Sequence, residues 1–145
     1  LLFLLVYQWK IYNYLFAKTL LIVLLSLILS DLAEIFYHHP RPFEIGLGHQ
    51  LIGHGPSSSF PSQHTLTIAI IAFSYWFAGF KKIGIFGIFA GMVVGLSRIY
   101  VGVHFPFDII GSFMIGLMLV VSVNYIVKEL TVRIRKITSV SAYDV

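Results

Sequence analysis

Long apolar stretches alternate with short polar segments along this chain of 145 residues. Four of the stretches approach the ~20 residues that a helix needs to cross the ~30 Å hydrocarbon layer of a membrane. Segments in lipid must be helical, because their backbone polar groups have to be paired within the segment. The predicted spans run from about Tyr14 to Tyr37, Pro61 to Phe80, Ile83 to Tyr100 and Pro106 to Val127. The pattern therefore predicts an all-α, polytopic transmembrane helix bundle with about four full spans.

The opening residues are apolar and follow neither a methionine nor a basic region of the kind that precedes a signal peptide core. We therefore expect Leu1–Trp9 to be the tail of an earlier span, with one or more N-terminal spans missing. Residues 1–145 are expected to form a single domain.

Composition supports a membrane protein, since 58% of the residues are hydrophobic and 11% are charged. Soluble globular chains have about 45–50% apolar and 25% charged residues. The net charge of +4 is small and its basic residues fall in short loops, so no nucleic-acid partner is predicted. The absence of cysteine excludes disulfides and thiolate metal sites.

Basic residues cluster at span ends that share one side of the membrane if the spans alternate in direction. These residues are Lys10, Lys18, Lys81, Lys82, Lys128, Arg133, Arg135 and Lys136. The positive-inside rule makes that side cytoplasmic. The loop of residues 38–61 and the link of residues 97–106 then face outward.

Three polar segments lie in these outward regions: Arg41-Pro42, Pro61-Ser62-Gln63-His64, and Ser97-Arg98 followed by His104 and Asp108. Arginine suits phosphate because it stays charged and presents a fork of donors. One histidine could attack a phosphoryl group and a second could protonate the leaving group. These residue types predict removal of phosphate from a lipid at the membrane surface.

In the third segment, a carboxylate within reach of a ring nitrogen can fix the histidine tautomer, which leaves the other nitrogen free to attack. Asp108 follows His104 by four residues, so the two can share a helix face. The alternative is an interfacial histidine beside a carboxylate that the helix dipole favours. Arg98 favours the catalytic interpretation, since ionisable residues within membranes are usually functional.

The first two segments also have alternatives. Ser62, Gln63 and His64 would occupy the first turn of a helix, where free N–H groups attract phosphate. Ser62 could instead be only an N-cap and His64 a histidine at the rim. Arg41 could instead extend to lipid headgroups.

Other polar and small residues carry weaker signals. The loop histidines His38, His39, His49 and His54 could bind a second phosphate or a metal, but their spacing fits no zinc motif and favours a loop surface. Asp31 and Glu34 lie within the first span, where they could pair with a cation. The glycines Gly84, Gly87, Gly91 and Gly95 predict a face for close helix packing.

The three segments resemble the motifs of the type 2 phosphatidic acid phosphatase (PAP2) superfamily, whose site design is related to that of vanadium haloperoxidases. The first motif is a lysine and an Arg-Pro pair with six residues between them. The second is Pro-Ser-X-His. The third is Ser-Arg, then five intervening residues, His, three intervening residues and Asp. This chain matches the third with Ser97, Arg98, His104 and Asp108, and the second with Pro61, Ser62 and His64. The first is matched by Arg41 and Pro42 only.

The resemblance implies a role for each matching residue. His104 would be the nucleophile, Asp108 its orienting partner and His64 the acid that protonates the leaving group. Arg41, Ser62 and Arg98 would hold the phosphoryl oxygens. Glu34 stands at the family's lysine position and Gln63 at a position that is often Gly or Asp; an amide can still donate to phosphate. The family typically has six spans and needs no metal, so no cofactor is expected.

Residues 40–62 are most similar to bacterial undecaprenyl-diphosphate phosphatases of this superfamily. The resemblance implies hydrolysis of a polyprenyl diphosphate at the outer face of the bacterial inner membrane, in recycling the carrier lipid of peptidoglycan synthesis. The expected partners are the lipid diphosphate and membrane lipids, and no oligomeric state is predicted. One alternative is the same fold acting on phosphatidylglycerophosphate, phosphatidic acid or lipid A phosphate, or as a lipid phosphotransferase. The other is a non-catalytic membrane assembly protein.

Overall fold

The computed structural model describes residues 2–47, 51, 53, 55 and 57–141, and side chains within residues 8–138 of these ranges. Throughout these ranges the regular secondary structure is helical. The elements are α1 (Leu2–Phe36), a short 3-10 helix (Pro42–Ile45), α2 (Gln63–Phe77), α3 (Lys81–Tyr100) and α4 (Pro106–Ser141). The prediction of an all-α bundle is confirmed.

Three helices in the described part of the chain are long and apolar enough to cross a membrane: Gln8–Phe36, Lys81–Tyr100 and Pro106–Thr138. The prediction of four full spans is therefore wrong by one. The second predicted span contains α2, which has only 15 residues and a length of about 22 Å. It is short because Ser62 is still extended and because Gly79 turns the chain with φ +95° soon after the helix ends.

Both outer helices are longer than predicted. Helix α1 runs unbroken from Leu2 to Phe36, so residues 2–9 extend the first predicted span. No break separates residues 2–9 from the first predicted span, and the expectation that N-terminal spans are missing stays a prediction. Helix α4 continues beyond Val127 to Ser141, because residues 128–141 contain no glycine or proline that would end it.

Helix α2 lies at the centre of the bundle and packs against α1, α3 and α4. The core is formed by Ile22 of α1, Leu66 and Ile70 of α2, and Val120 of α4. Many large apolar side chains instead point outward, and Phe86 is 70% exposed. An outer surface of this kind suits lipid rather than water, and the chain is a multi-pass membrane protein.

The predicted glycine face of α3 is confirmed. Its members are Gly84, Gly87, Gly91 and Gly95. A Cβ atom on Gly84 would lie 2.8 Å from Cβ of Trp76, and one on Gly87 would lie 2.8 Å from Cβ of Ala72. The remaining two face side chains of α4. The missing side chains therefore let α3 approach both neighbouring helices closely.

The end of α1, the starts of α2 and α4, and the end of α3 all lie at one end of the bundle. Helix α3 closes with the Val103 amide donating to the Arg98 carbonyl at 3.2 Å. Gly102 adopts φ +76°, a conformation that a side chain would disfavour. This sharp turn brings His104 back over the bundle, only two residues before α4 begins.

Candidate active site

A small cavity of about 70 Å³ opens at this end of the bundle. Its walls come from α1, the loop before α2, the first turn of α2 and the link between α3 and α4. The lining residues are Glu34, Arg41, Ser57, Ser58, Pro61, Gln63, His64 and His104. The fold therefore brings four of the predicted site residues, including both histidines, to a single cavity.

His104 is almost completely buried, and its ring has a defined orientation. Its Nδ1 atom lies 2.7 Å from the backbone oxygen of Ser59. A carbonyl oxygen can only accept a hydrogen bond, so Nδ1 must carry the proton. In the neutral ring the lone pair is then on Nε2, the nitrogen that could attack phosphorus.

Asp108 is also buried, and it makes a different contact from the one expected. Its Oδ2 atom accepts a hydrogen bond of 2.8 Å from the Phe105 amide and thereby caps the start of α4. The same oxygen lies 3.6 Å from Nδ1 of His104. Asp108 thus places a negative charge beside the ring, while the Ser59 carbonyl takes the Nδ1 proton.

Ser62 precedes α2 as its N-cap and is fully buried. Its hydroxyl pairs with that of Thr65 at 3.2 Å, and Ser62 is not among the residues that line the cavity. Its amide donates to Ser112 Oγ at 2.9 Å, and Ser112 Oγ is 2.6 Å from the Asp108 carbonyl. These contacts tie the start of α2 to the first turns of α4.

Arg41 is 3% exposed and donates from all three guanidinium nitrogens. The acceptors are the Ser57 carbonyl and hydroxyl, the Ser58 carbonyl and the Val103 carbonyl, at 2.9–3.0 Å. Burial lowers the pKa of Arg41 from its ordinary value, whereas the negative charges of nearby carboxylates act to raise it. Arginine nevertheless stays protonated in proteins. Arg41 therefore binds the loop to the α3–α4 link, and its charge lies in the cavity wall.

Arg98, near the end of α3, is half-buried. Its Nε atom is buried and has no hydrogen-bond partner among the described residues. Its charge contributes to lowering the pKa of Arg41, whereas Glu44, Asp108 and Glu34 oppose that change. Arg98 is not among the residues that line the small cavity.

The serine segment, Ser57–Ser59, holds the site together, although no role was predicted for these residues. Ser57 and Ser58 accept hydrogen bonds from Arg41, and Ser59 accepts one from His104. The Ser59 amide donates to the His39 carbonyl at 2.8 Å. The only available signal was a run of three serines that ends two residues before Pro61, because a backbone carbonyl leaves no mark in a sequence.

The loop histidines have separate environments. The His39 ring makes a contact of 2.6 Å with Ser59 Oγ. His38 lies 3.7 Å from Glu34 Oε1 and 3.9 Å from Glu44 Oε2. His49 and His54 lie outside the described residues. Across the residues that were described, no group of three or more His, Asp or Glu side chains is arranged to hold a metal ion.

An apolar groove adjoins the small cavity. A space of about 310 Å³ is lined by Leu27, Thr67 and Ile68 together with Gln63 and His64, which also line the small cavity. A second apolar space of about 360 Å³ between α1 and α2 shares Thr67 with the first. The polar cavity therefore opens beside a surface that suits a hydrocarbon chain.

Comparisons with known proteins agree with this architecture. A family model described as the PAP2 superfamily matches residues 15–131. The chain is 36% identical over 94 residues to undecaprenyl-diphosphatase BcrC of Bacillus subtilis (strain 168), covering 65% of this chain and 48% of that protein. It is 29% identical over 101 residues to putative undecaprenyl-diphosphatase YbjG of Escherichia coli (strain K12), covering 70% and 51%.

One solved structure is also similar, a transmembrane PAP2-type phosphatidylglycerolphosphate phosphatase from Bacillus subtilis. The TM-score is 0.64 at 27% identity, and the match covers 88% of this chain and 70% of that one. The chain spans about half the length of the curated relatives it matches.

Proposed function

Since the chain belongs to the PAP2 superfamily, we propose that it carries the active site of a membrane phosphatase that hydrolyses a polyprenyl diphosphate to the monophosphate. The observation that carries this proposal is the 2.7 Å contact between His104 Nδ1 and the Ser59 carbonyl, in a cavity that His64 also lines. This contact leaves Nε2 with the lone pair that an attacking nitrogen requires. The names of two relatives support undecaprenyl diphosphate as the substrate.

In the first step, Nε2 of His104 forms a bond to the terminal phosphorus as the bond from phosphorus to the bridging oxygen breaks. His64 donates a proton to that oxygen, and the lipid monophosphate leaves. The Nδ1 proton stays on the ring, where the Ser59 carbonyl accepts it. Asp108, 3.6 Å away, stabilises the positive charge that develops on the imidazole.

In the second step, water attacks the phosphorus of the phosphohistidine and gives a proton to His64. The bond between nitrogen and phosphorus breaks, inorganic phosphate leaves, and both histidines return to their starting states. Gln63 and the remaining N–H of Arg41 Nη1 hold the phosphoryl oxygens in both steps. Arg98, which does not line the cavity, would join them only after its side chain turns toward the substrate. Ser62 would join them only after its hydroxyl exchanges Thr65 for the substrate.

We propose that this chemistry takes place at the extracytoplasmic face of a bacterial plasma membrane, and the positions of the basic residues support this orientation. Lys81 and Lys82 are the first residues of α3 and follow the turn after α2, at the end of α2 opposite the cavity. The positive-inside rule assigns that end to the cytoplasm. The apolar groove beside Gln63 and His64 offers a surface for the lipid tail.

The test is phosphate release from a panel of polyprenyl diphosphates and glycerophospholipids, with EDTA present, for the parent protein and for His104→Ala. We expect metal-independent release that falls by about three orders of magnitude or more in the variant. The unfolding midpoint in detergent checks that the variant folds. Release that survives the substitution would remove His104 from its assigned role.

A second candidate substrate is phosphatidylglycerophosphate, which the similarity to the solved Bacillus phosphatase favours. The same panel decides between the two, since the physiological class should show the higher kcat/KM. A preference for glycerophospholipid monoesters would replace the diphosphate assignment while leaving the two-step chemistry in place.

A further inference from the structure

Glu34 is an acidic residue in the wall of a cavity that is otherwise suited to an anion. An ionised carboxylate is an acceptor only, so it cannot donate to a phosphate oxygen, and its charge repels the substrate. The PAP2 motif has a lysine at this position. The presence of Glu34 therefore calls for a role other than phosphate binding.

The contacts of Glu34 indicate that role. Its Oε1 atom accepts a hydrogen bond of 2.8 Å from the Ser58 amide. This amide belongs to the middle residue of the serine segment, whose carbonyls hold Arg41 on one side and His104 on the other. One side chain of α1 thus fixes the backbone that orients the proposed nucleophile.

On this side of the cavity the serine segment is also held by His39. The His39 amide donates to Ser58 Oγ at 3.2 Å, and its carbonyl and ring contact the amide and the hydroxyl of Ser59. His39 itself lies on the loop that follows α1, so its position depends on the same region. Glu34, by contrast, is in the last turn of α1 and is held by the helix. It therefore connects the serine segment to a rigid element.

We propose that Glu34 is a positioning residue for catalysis: it anchors the Ser58 amide so that the Ser59 carbonyl keeps His104 in its reactive tautomer and orientation. This inference rests on the proposed function. A misplacement of the imidazole of about 1 Å can lower the rate about 100-fold. Loss of the anchor should therefore affect turnover far more than substrate binding, since Arg41 retains its contact with the Val103 carbonyl.

Three substitutions of Glu34 separate this role from phosphate binding. Glu34→Gln keeps an oxygen that accepts the Ser58 amide, so kcat should stay within about twofold of the parent. Glu34→Ala and Glu34→Lys both remove that acceptor, so kcat should fall about 10- to 100-fold. KM should not rise, because both substitutions also remove a charge that repels the substrate. Glu34→Lys is decisive because it restores the residue that the family motif prefers.

Asp31 provides the matched control. It lies one turn earlier on α1, its side chain is exposed, and Asp31→Asn removes the same charge without removing the contact to Ser58. We expect this variant to behave like the parent. Steady-state kinetics on the preferred lipid give kcat and KM, and unfolding midpoints in detergent identify any variant that does not fold.

The possible results have distinct meanings. Higher activity in Glu34→Lys, an effect on KM alone, or parent-like turnover in Glu34→Ala would each overturn the positioning role. If Glu34→Ala does not fold, the difference between the Gln and Lys variants decides. A parent protein with no phosphatase activity on any lipid of the panel would overturn the proposed function itself, and this inference with it.

Discussion

At the residue scale, the proton on Nδ1 decides which nitrogen of His104 can react. A backbone carbonyl fixes that proton more firmly than a hydroxyl would, since a hydroxyl can rotate between donating and accepting. Ser59 supplies this carbonyl at 2.7 Å, and Asp108 supplies a negative charge at 3.6 Å. Orientation and charge stabilisation are therefore divided between two residues, although the motif suggests a single carboxylate for both.

Replacement of His64 should depend on the leaving group. A diphosphate releases a monophosphate whose second pKa is about 6, whereas a monoester releases an alkoxide that needs a proton far more. We expect His64→Ala to lower kcat about 10-fold with a lipid diphosphate and about 100-fold or more with a lipid monoester. Initial rates of phosphate release with the two substrates in the same detergent measure both losses.

Gln63 provides the comparison for this experiment, since it lines the same cavity and is proposed to touch phosphoryl oxygens that both substrates share. Gln63→Ala should therefore weaken both reactions by a similar factor. Equal losses in His64→Ala would contradict the role of His64 as general acid and leave it as another phosphate ligand.

At the element scale, the position of the cavity depends on how closely α3 approaches α2. The N-terminal end of α3 packs against the C-terminal end of α2 through Gly84 and Gly87. The other end of α3 leads into the turn at Gly102 and on to His104. A displacement of α3 would therefore move His104, the proposed nucleophile, relative to the first turn of α2.

A methyl group at Gly84 should be costly, because its Cβ would meet the backbone of α2 as well as the Trp76 Cβ. Gly84→Ala is expected to destabilise the protein by about 1–3 kcal/mol, although alanine is intrinsically better than glycine in a helix by about 1 kcal/mol. The unfolding midpoint in detergent should fall, and phosphate release should fall with it.

Gly91 on the same helix is the matched control. A Cβ atom there would approach the far edge of the Phe113 ring at 2.9 Å, and a ring can turn aside more easily than a backbone. Gly91→Ala should therefore lower the midpoint less than Gly84→Ala. If Gly91→Ala lowers the midpoint more than Gly84→Ala, the α2–α3 contact at Gly84 is not the contact most sensitive to an added methyl group.

At the scale of the whole molecule, hydropathy was enough to predict an all-α bundle, because burial in lipid requires long apolar helices. The motifs were enough to predict that Arg41, Gln63, His64 and His104 meet, and the fold brings these four residues to one cavity. The length of α2 was not predictable from hydropathy, since the apolar stretch continues through the turn at Gly79. The direction of the Ser62 hydroxyl was not predictable either, because Thr65 competes for it within the same turn.

The proposed membrane orientation depends on whether the short helix α2 crosses the membrane. If the cavity faces outward and Lys81 and Lys82 at the start of α3 face the cytoplasm, α2 must cross the hydrocarbon layer. Its 15 residues cover about 22 Å of a layer that is about 30 Å thick. Such a helix can cross with little tilt where the bilayer thins around it. The proposed orientation is therefore best tested by asking whether the two ends of α2 lie on opposite sides of the membrane.

Cysteine labelling tests it, since the chain contains no cysteine of its own. Leu47→Cys lies after the 3-10 helix on the cavity side, and Lys82→Cys lies at the start of α3; both positions are exposed. In the full-length protein, with any cysteine elsewhere replaced, a membrane-impermeant maleimide should label Leu47→Cys in intact cells. It should label Lys82→Cys only after the cells are permeabilised. Labelling of both positions in intact cells would mean that α2 does not cross, and the inverse pattern would place the cavity on the cytoplasmic face.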